Sequence, residues 1–255
     1  MCLILFAWRA HAQHELIVAA NRDEFYERPA SAAGFWPDQP HVLAGRDLSA
    51  QGTWMGVTRA GRFAAITNFR NPAERNPLAP SRGQLVTAFL IDKREPVAWL
   101  KAIAPQATAY NGFSMLVGDR HSLCFFSNRN GAITTVEPGI HGLSNHLLDT
   151  PWPKVEKGKA QLAKLTGEPF DAEAYLTLLA DREPAHERQL PDTGVGPESE
   201  RRLSSIRIVG DGYGTRCSSV LRTSIDGRVE FWERSYAPDG SAAGTVNYEF
   251  MLDDG

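Results

Sequence analysis

Two apolar runs near the start of the chain limit the folds open to it. Cys2-Leu-Ile-Leu-Phe-Ala-Trp8 is unbroken and of strand length, and Leu16-Ile-Val-Ala-Ala20 follows a polar stretch from Arg9 to Glu15. A strand that is apolar at consecutive positions, and not only at alternate ones, needs cover on both faces. The two runs read as a hairpin whose loop is longer than a two-residue turn. Neither run approaches the roughly 20 residues that cross a bilayer, and no basic segment precedes the first, so a signal peptide is not expected. Of 255 residues, 42% are hydrophobic and 22% charged, which supports a sizeable core. Lys plus Arg number 27 against 30 Asp plus Glu, for a net charge of −3, which argues against a broad nucleic-acid surface. Three cysteines (Cys2, Cys124, Cys217) with no CxxC pair argue against a disulfide scaffold and for a reducing compartment. The seven histidines show no metal-ligand spacing, so no metal is expected. These features describe a cytoplasmic globular protein with no stable membrane insertion.

Further along, Glu27 to His41 is rich in Pro and Ala and reads as a surface loop. Trp54–Val57 and Phe63–Ile66 flank Arg59-Ala-Gly61 as a second hairpin. Ser81 can cap a helix whose apolar positions Leu85, Val86, Phe89 and Leu90 share a face, and Pro96 opens a shorter one through Ile103. Strands are expected over Phe113–Val117, Leu123–Ser127 and Ala132–Val136, the last two joined by Asn130-Gly131. Trp152, Val155, Leu162 and Leu165 form a helical stripe, with a second helix over Ala172–Leu179. Asp181 to Arg202 is charged and carries Pro and Gly, which predicts a long mobile loop. Strands return at Cys217–Ser224, Arg228–Glu233 and Val246–Met251. No repeat or linker divides residues 1–255, so the expectation is one α+β domain with antiparallel strands at both ends and helices between.

Cys2 carries the most chemical information. If Met1 is removed, its thiol and a free α-amine share one residue. Their ordinary pKa values, about 8.5 and about 7.7–8.0, are close enough for proton exchange near neutrality. One residue then supplies nucleophile and base. Equally, Cys2 is a small apolar residue in a buried strand. The polar quartet Asn21-Arg22-Asp23-Glu24 ends the second run. If the two strands pair, it returns beside Cys2, where Asp23 can hold an ammonium and Arg22 can lower a thiol pKa or grip a carboxylate. It also reads as a solvated turn. Asn68 and Asn145 each follow a strand end and can donate amide N–H groups to an oxyanion, or simply sit in turns. Gly210-Asp-Gly-Tyr-Gly-Thr-Arg216 lacks Walker spacing and would deliver Arg216 to the mouth of a site.

These blocks together resemble the NRDE-motif family, of the transport-and-Golgi-organisation type. The resemblance rests on Met1-Cys2, Ala20-Asn-Arg-Asp-Glu-Phe25, Arg28-Pro29, Gly45-Arg-Asp47, Gly52-Thr-Trp-Met-Gly-Val57, Ala65-Ile-Thr-Asn68 and Arg70. It continues through Leu143-Ser-Asn145, Pro191-Asp-Thr-Gly-Val-Gly196, Leu203-Ser-Ser-Ile206 and Gly212-Tyr-Gly-Thr-Arg216. The resemblance implies an N-terminal-nucleophile hydrolase-like fold, a four-layer αββα sandwich of two antiparallel sheets flanked by helices. It implies Cys2 as nucleophile, Asp23 as its amine partner, Asn68 and Asn145 as oxyanion and positioning amides, and Arg216 as a distal arginine. Arg22, Asn21, Trp54 and Arg70 are the expected ligand contacts. In the related bile-salt hydrolases an arginine stands three residues before the aspartate. Ala20 holds that place here, and Arg22 lies on the opposite pleat from Asp23. Two readings follow. One is a cysteine amidohydrolase that needs no cofactor and acts on a linear amide or acyl bond. The other is a non-catalytic carrier of haem, lipid or acyl-CoA in the same pocket, with Arg22 and Arg216 as anion clamps.

Overall fold

The computed structural model describes residues 3–253. The opening hairpin forms as β1 (Leu3–Trp8) and β2 (His14–Phe25), antiparallel, with Leu3 opposite Asn21 and Trp8 opposite Leu16. Next come β3 (Ala30–Trp36), β4 (Gln39–Asp47), β5 (Met55–Thr58) and β6 (Phe63–Asn68). Helices α1 (Gly83–Ile91) and α2 (Pro96–Ile103) follow, then β7 (Phe113–Gly118), β8 (Leu123–Ser127), β9 (Ile133–Thr135) and β10 (Gly139–Leu143). After α3 (Pro153–Leu165), α4 (Ala172–Leu179) and α5 (Pro197–Arg202), the chain closes with β11 (Tyr213–Ser224), β12 (Arg228–Tyr236) and β13 (Ala242–Met251).

Among the described residues the strands form two antiparallel sheets, one in the order β10-β1-β2-β11-β12-β13 and one in the order β3 to β9. The alternation of side chains along β1 explains the layering. Ile4, Phe6 and Trp8 enter the core between the sheets with Leu43, Met55, Val57, Phe63 and Phe125. Leu3, Leu5 and Ala7 face the other way, under α3 and α4. The second sheet is covered on its outer face by α1 and α2 through Val86, Phe89, Leu90, Trp99 and Leu100. An all-apolar strand is satisfied only in such a four-layer arrangement, and the αββα sandwich is what forms.

Two sequence expectations are corrected. Residues 27–41 are largely strand: β3 forms an edge ladder on β4, with register shifts between Ser31 and Gly34 and between Phe35 and Trp36. Pro40 falls in the register shift between the Trp36–Gln39 and Phe35–Leu43 pairs, where a missing N–H removes no ladder bond. Residues 181–202 hold a 3-10 turn (Glu187–Gln189) and α5, fastened by the buried Glu200. Strand β10, unanticipated because of its two glycines, pairs along the free edge of β1.

Candidate active site

A cavity of about 630 Å³ opens where the ends of β2, β4 and β6 meet the start of α1 and the turn after β6. The parity of β2 decides which of its polar quartet reaches it. Val18 and Ala20 point between the sheets, so Arg22 does too, and it lines the cavity together with Glu24. Asn21 and Asp23 point to the helix-covered face and do not line it.

Arg22 is 3% exposed, lies over the Trp54 indole at 4.2 Å, and reaches Asp47 at 3.4 Å. Its Nη1 has no hydrogen-bond partner among the described residues. Trp54, 6% exposed, forms part of the wall. It packs so closely on Gly45 that any Cβ there would collide with the ring. Asp47, which sequence reading did not single out as a functional residue, is the hub. It accepts from Arg28 Nε at 2.5 Å and Nη2 at 3.2 Å, and from the Ser49 and Ala50 amides at 3.0 and 2.9 Å. Burial acts to raise its pKa, but the Arg28 hydrogen bond, the Ala50 amide and the charges of Arg28 and Arg22 outweigh it and hold the carboxyl below the usual range.

On the opposite wall, Asn145 is 4% exposed and fully engaged. Its Nδ2 donates to Asn68 O at 3.0 Å, and its Oδ1 accepts from Arg70 Nη2 at 3.2 Å. Arg70 also donates from Nη1 to Glu200 at 2.8 Å and lies over Trp152 at 4.8 Å. Glu200 in turn takes the Thr193 amide at 2.8 Å and the Thr193 hydroxyl at 2.5 Å, which ties the 191–202 segment to the site. Asn68 is exposed on the cavity wall, so its side-chain amide is placed to donate to a ligand oxygen. Glu200 was not singled out in the sequence; it lies four residues past the Pro191–Gly196 block that carries part of the resemblance.

Cys2 lies outside the described residues. Asp23 is 3% exposed; its Oδ1 accepts from the Thr215 hydroxyl at 2.6 Å, and its Oδ2 has no partner among the described residues. Two residues expected at the site sit elsewhere: Asn21, an expected ligand contact, and Arg216, the expected distal arginine. Asn21 is fully buried: its Nδ2 donates to Leu179 O and Ile206 O at 2.9 and 2.8 Å, and its Oδ1 accepts from Ser218. Odd parity on β2 turns it away from the cavity. Arg216 is the extra residue of a β-bulge between Thr215 and Cys217. The bulge re-aims it, and its Nη1 donates to the carbonyls of Phe25, Tyr26 and Arg28 at 3.0, 3.2 and 2.9 Å. It fastens the turn after β2 and does not line the cavity. Beyond the bulge, Cys217 faces the inter-sheet core beside Glu233, which accepts from the Ala33 amide and the Ser219 hydroxyl. Burial pushes both the Cys217 thiol and the Glu233 carboxyl up, so Cys217 is held as a thiol.

A family model described as Transport and Golgi organisation 2 matches residues 1–238. The chain belongs to that family. It is 35% identical to the bovine Transport and Golgi organization protein 2 homolog and 33% identical to the human one. Each comparison covers 99% of this chain and 99% of the relative. Among solved structures, a variant of conjugated bile acid hydrolase from Clostridium perfringens aligns with a TM-score of 0.51 at 9% identity, over 98% of both chains. At that identity the likeness concerns the fold, and it fits the two face-to-face antiparallel sheets. The family model ends before β13, which extends the first sheet at its edge.

Proposed function

We propose that the chain is an N-terminal-nucleophile hydrolase that uses Cys2, freed by removal of Met1, to cleave a linear amide or related acyl bond. The observation that carries this reading is Asp23 Oδ2, buried and without a partner among the described residues. A buried carboxylate oxygen left unpaired costs about 1–3 kcal/mol or more. The position therefore calls for a cation. The described part of β1 starts at Leu3, opposite Asn21 and two residues before Asp23 along β2. The α-ammonium of a processed Cys2, bonded directly to Leu3, is the cation that this register supports.

In the proposed reaction the Cys2 thiol gives its proton to its own neutral amine, forming the ammonium that Asp23 answers, and the sulfur bonds to the substrate carbonyl carbon. Asn68 donates to the developing oxyanion, and Asn145 steadies Asn68 through its carbonyl. As the tetrahedral adduct collapses, the C–N bond breaks and the ammonium passes its proton to the departing amine, leaving a thioester. Water then adds to the thioester and gives a proton to the amine. The acyl group leaves as an acid, and the thiol regains its proton from the ammonium. Asp23 orients the amine throughout.

The test is intact mass after exposure to an acyl chloromethyl ketone. The expected result is one adduct on protein lacking Met1, none on Cys2→Ala, and labelling of Asp23→Asn slowed at least about tenfold. Equal labelling of Cys2→Ala would overturn the proposal.

The arginines around the cavity favour a second reading, non-catalytic carriage of an anionic apolar ligand such as haem, a lipid or acyl-CoA. For haem they offer partners to the propionates. Among the described residues no histidine, methionine or cysteine lines the cavity, and Tyr213 is the lining side chain of a type that ligates haem iron. Saturable acyl-CoA binding to Cys2→Ala, with no turnover by wild type, decides for carriage.

A further inference from the structure

Away from the cavity, two arginines meet on one backbone oxygen. Arg182 follows α4 and Arg207 precedes β11, and the Arg207 amide donates to Asp181 O at 2.7 Å, which sets the two segments side by side. Both guanidinium groups donate from Nη2 to Gly240 O, Arg182 at 3.2 Å and Arg207 more closely. That carbonyl belongs to the turn between β12 and β13, closed by Ala237 N to Ser241 O and by Gly240 N to Ala237 O, both at 2.9 Å. Gly240 has a φ of +81°, and a Cβ there would stand 3.0 Å from Arg182 Nη2 and from Val209. The bare backbone is what lets both groups reach it. None of these three residues lines the cavity.

Neither arginine meets a carboxylate among the described residues. The acidic groups nearest to them along the chain are engaged elsewhere: Asp181 and Glu183 with Lys157, each at 2.6 Å, and Asp239 with the amide and hydroxyl of Ser241 at 2.8 and 2.6 Å. Glu173 is taken by Arg234 at 2.9 and 2.8 Å. Arg207 is 7% exposed, its Cζ lies 3.6 Å from the Tyr236 ring centroid, and its Nε is sealed from water without a partner. Burial, with the charges of Arg182 and Arg234, pulls its pKa below the ordinary value against Tyr236 and Tyr26. A guanidinium nonetheless stays charged at neutral pH. One carbonyl dipole does not balance two like charges, one of them almost dry. Arg182 is exposed, and its Nε and Nη1, like Arg207 Nη1, donate to nothing among the described residues. The pair therefore keeps donors for a further acceptor.

The geometry points to a second ligand site on Arg182 and Arg207, for a phosphate group, free or as the end of a phosphomonoester. A phosphate group carries about two charges near neutral pH. Its tetrahedral oxygens accept from two guanidinium planes at once, whereas a carboxylate is a flat monoanion that matches one. The site uses neither Cys2 nor the cavity, so it stands or falls independently of the hydrolase reading.

Nitrogen-15 NMR of the arginine Nε–H groups reads the pair directly, in the full chain titrated with sodium phosphate against sodium chloride of equal ionic strength. The Arg182 resonance is the one lost in Arg182→Lys, and the Arg207 resonance the one lost in Arg207→Lys. Both are expected to move along one saturable curve with phosphate and to stay still with chloride. In Arg182→Ala, a change at an exposed position, the Arg207 resonance should need at least about tenfold more phosphate to move as far. Arg182→Glu sets a carboxylate beside Arg207, so phosphate should raise its melting midpoint less than it raises that of wild type. This arm decides the matter even if Arg207→Lys does not fold. Glycerol 3-phosphate and phosphatidate vesicles separate a soluble phosphoester from a lipid headgroup. The source is whichever binds wild type more tightly than inorganic phosphate does and loses that advantage in Arg182→Glu. Resonances that stay still in phosphate, or that move alike in wild type and Arg182→Ala, overturn the inference. A phosphate-dependent rise in midpoint as large in Arg182→Glu as in wild type overturns it as well.

Discussion

Asp47 sits between two arginines and shows how a single side chain can hold a site together. Arg22 and Arg28 both lean on it, and Arg22 is almost wholly out of water. Removing one partner of such a cluster leaves a buried charge unanswered, which costs more than the pair contributes. Asp47→Ala is expected to lower stability by about 3 kcal/mol in urea melts, and Asp47→Asn by less, because the amide oxygen still accepts hydrogen bonds. If Asp47→Ala melts like wild type, Asp47 is not the hub. Gly45 makes a second case at this scale. Any Cβ would strike the Trp54 ring, so Gly45→Ala is expected to cost about 1–3 kcal/mol and to change the tryptophan fluorescence. An unaltered melt and spectrum would mean the indole does not rest there.

For the elements, the instructive case is β11. Its alternation says that Arg216 belongs beside the cavity, but the bulge at Thr215/Cys217 inserts one residue and turns the side chain to the carbonyls of the turn after β2. Arg216→Ala should therefore cost about 1–2 kcal/mol in stability, the worth of charged donors at a half-exposed site. It should leave the rate of Cys2 labelling by the acyl chloromethyl ketone within about threefold of wild type. A tenfold loss of labelling rate with unchanged stability would return Arg216 to the site. Strand β2 behaves in the opposite way. Its register on β1 runs unbroken from Leu16 to Asn21 and the extra residue of the bulge lies on β11, so simple parity sends Arg22 to the cavity and Asn21 to the helix layer. The Asn-Arg-Asp-Glu quartet is thus divided between two faces of one sheet, and only half of it can touch a ligand.

Over the molecule as a whole, two histidines set opposite slopes of stability with pH. Burial, with the nearby His11 and Arg222 charges, lowers the His14 pKa from 6.5 to about 4, against a weaker raising pull from the Gln13 backbone and Asp226. Its neutral form is the one that fits the fold, so its contribution is full above pH 6.5 and is lost as pH falls toward 4. His141 is raised chiefly by its hydrogen bond to Asp149 at 2.7 Å, with the Glu137 carbonyl and the Asp149 charge adding, against burial and Lys159. Its contribution is full below the ordinary histidine range and is lost as pH rises through the raised value. Asp149 itself is opposed by burial but lowered to about 2 by His141, the Gly142 amide and Lys159, so that part persists until strongly acid pH. Urea midpoints measured against pH should show His14→Gln flattening the acid limb and His141→Gln flattening the alkaline limb. Parallel curves for both variants and wild type would refute the assignment.

The chain's own order of residues determined the layering. Consecutive apolar residues in β1 and β2 demand cover on both faces, and the spacing of Leu85, Val86, Phe89 and Leu90 and of Trp152, Val155 and Leu162 supplies helices with one apolar stripe each. Family membership was legible too, because the ordered motif blocks are local strings. What the tertiary structure alone decided is the company each charge keeps. Arg70 finds Glu200 130 residues away and Asp23 meets Thr215 192 residues away. Each of these pairs exists only once those segments are side by side. Periodicity reports the face a side chain takes on its own element. Pairing, bulges and cavities depend on which distant element packs opposite, and no local pattern encodes that.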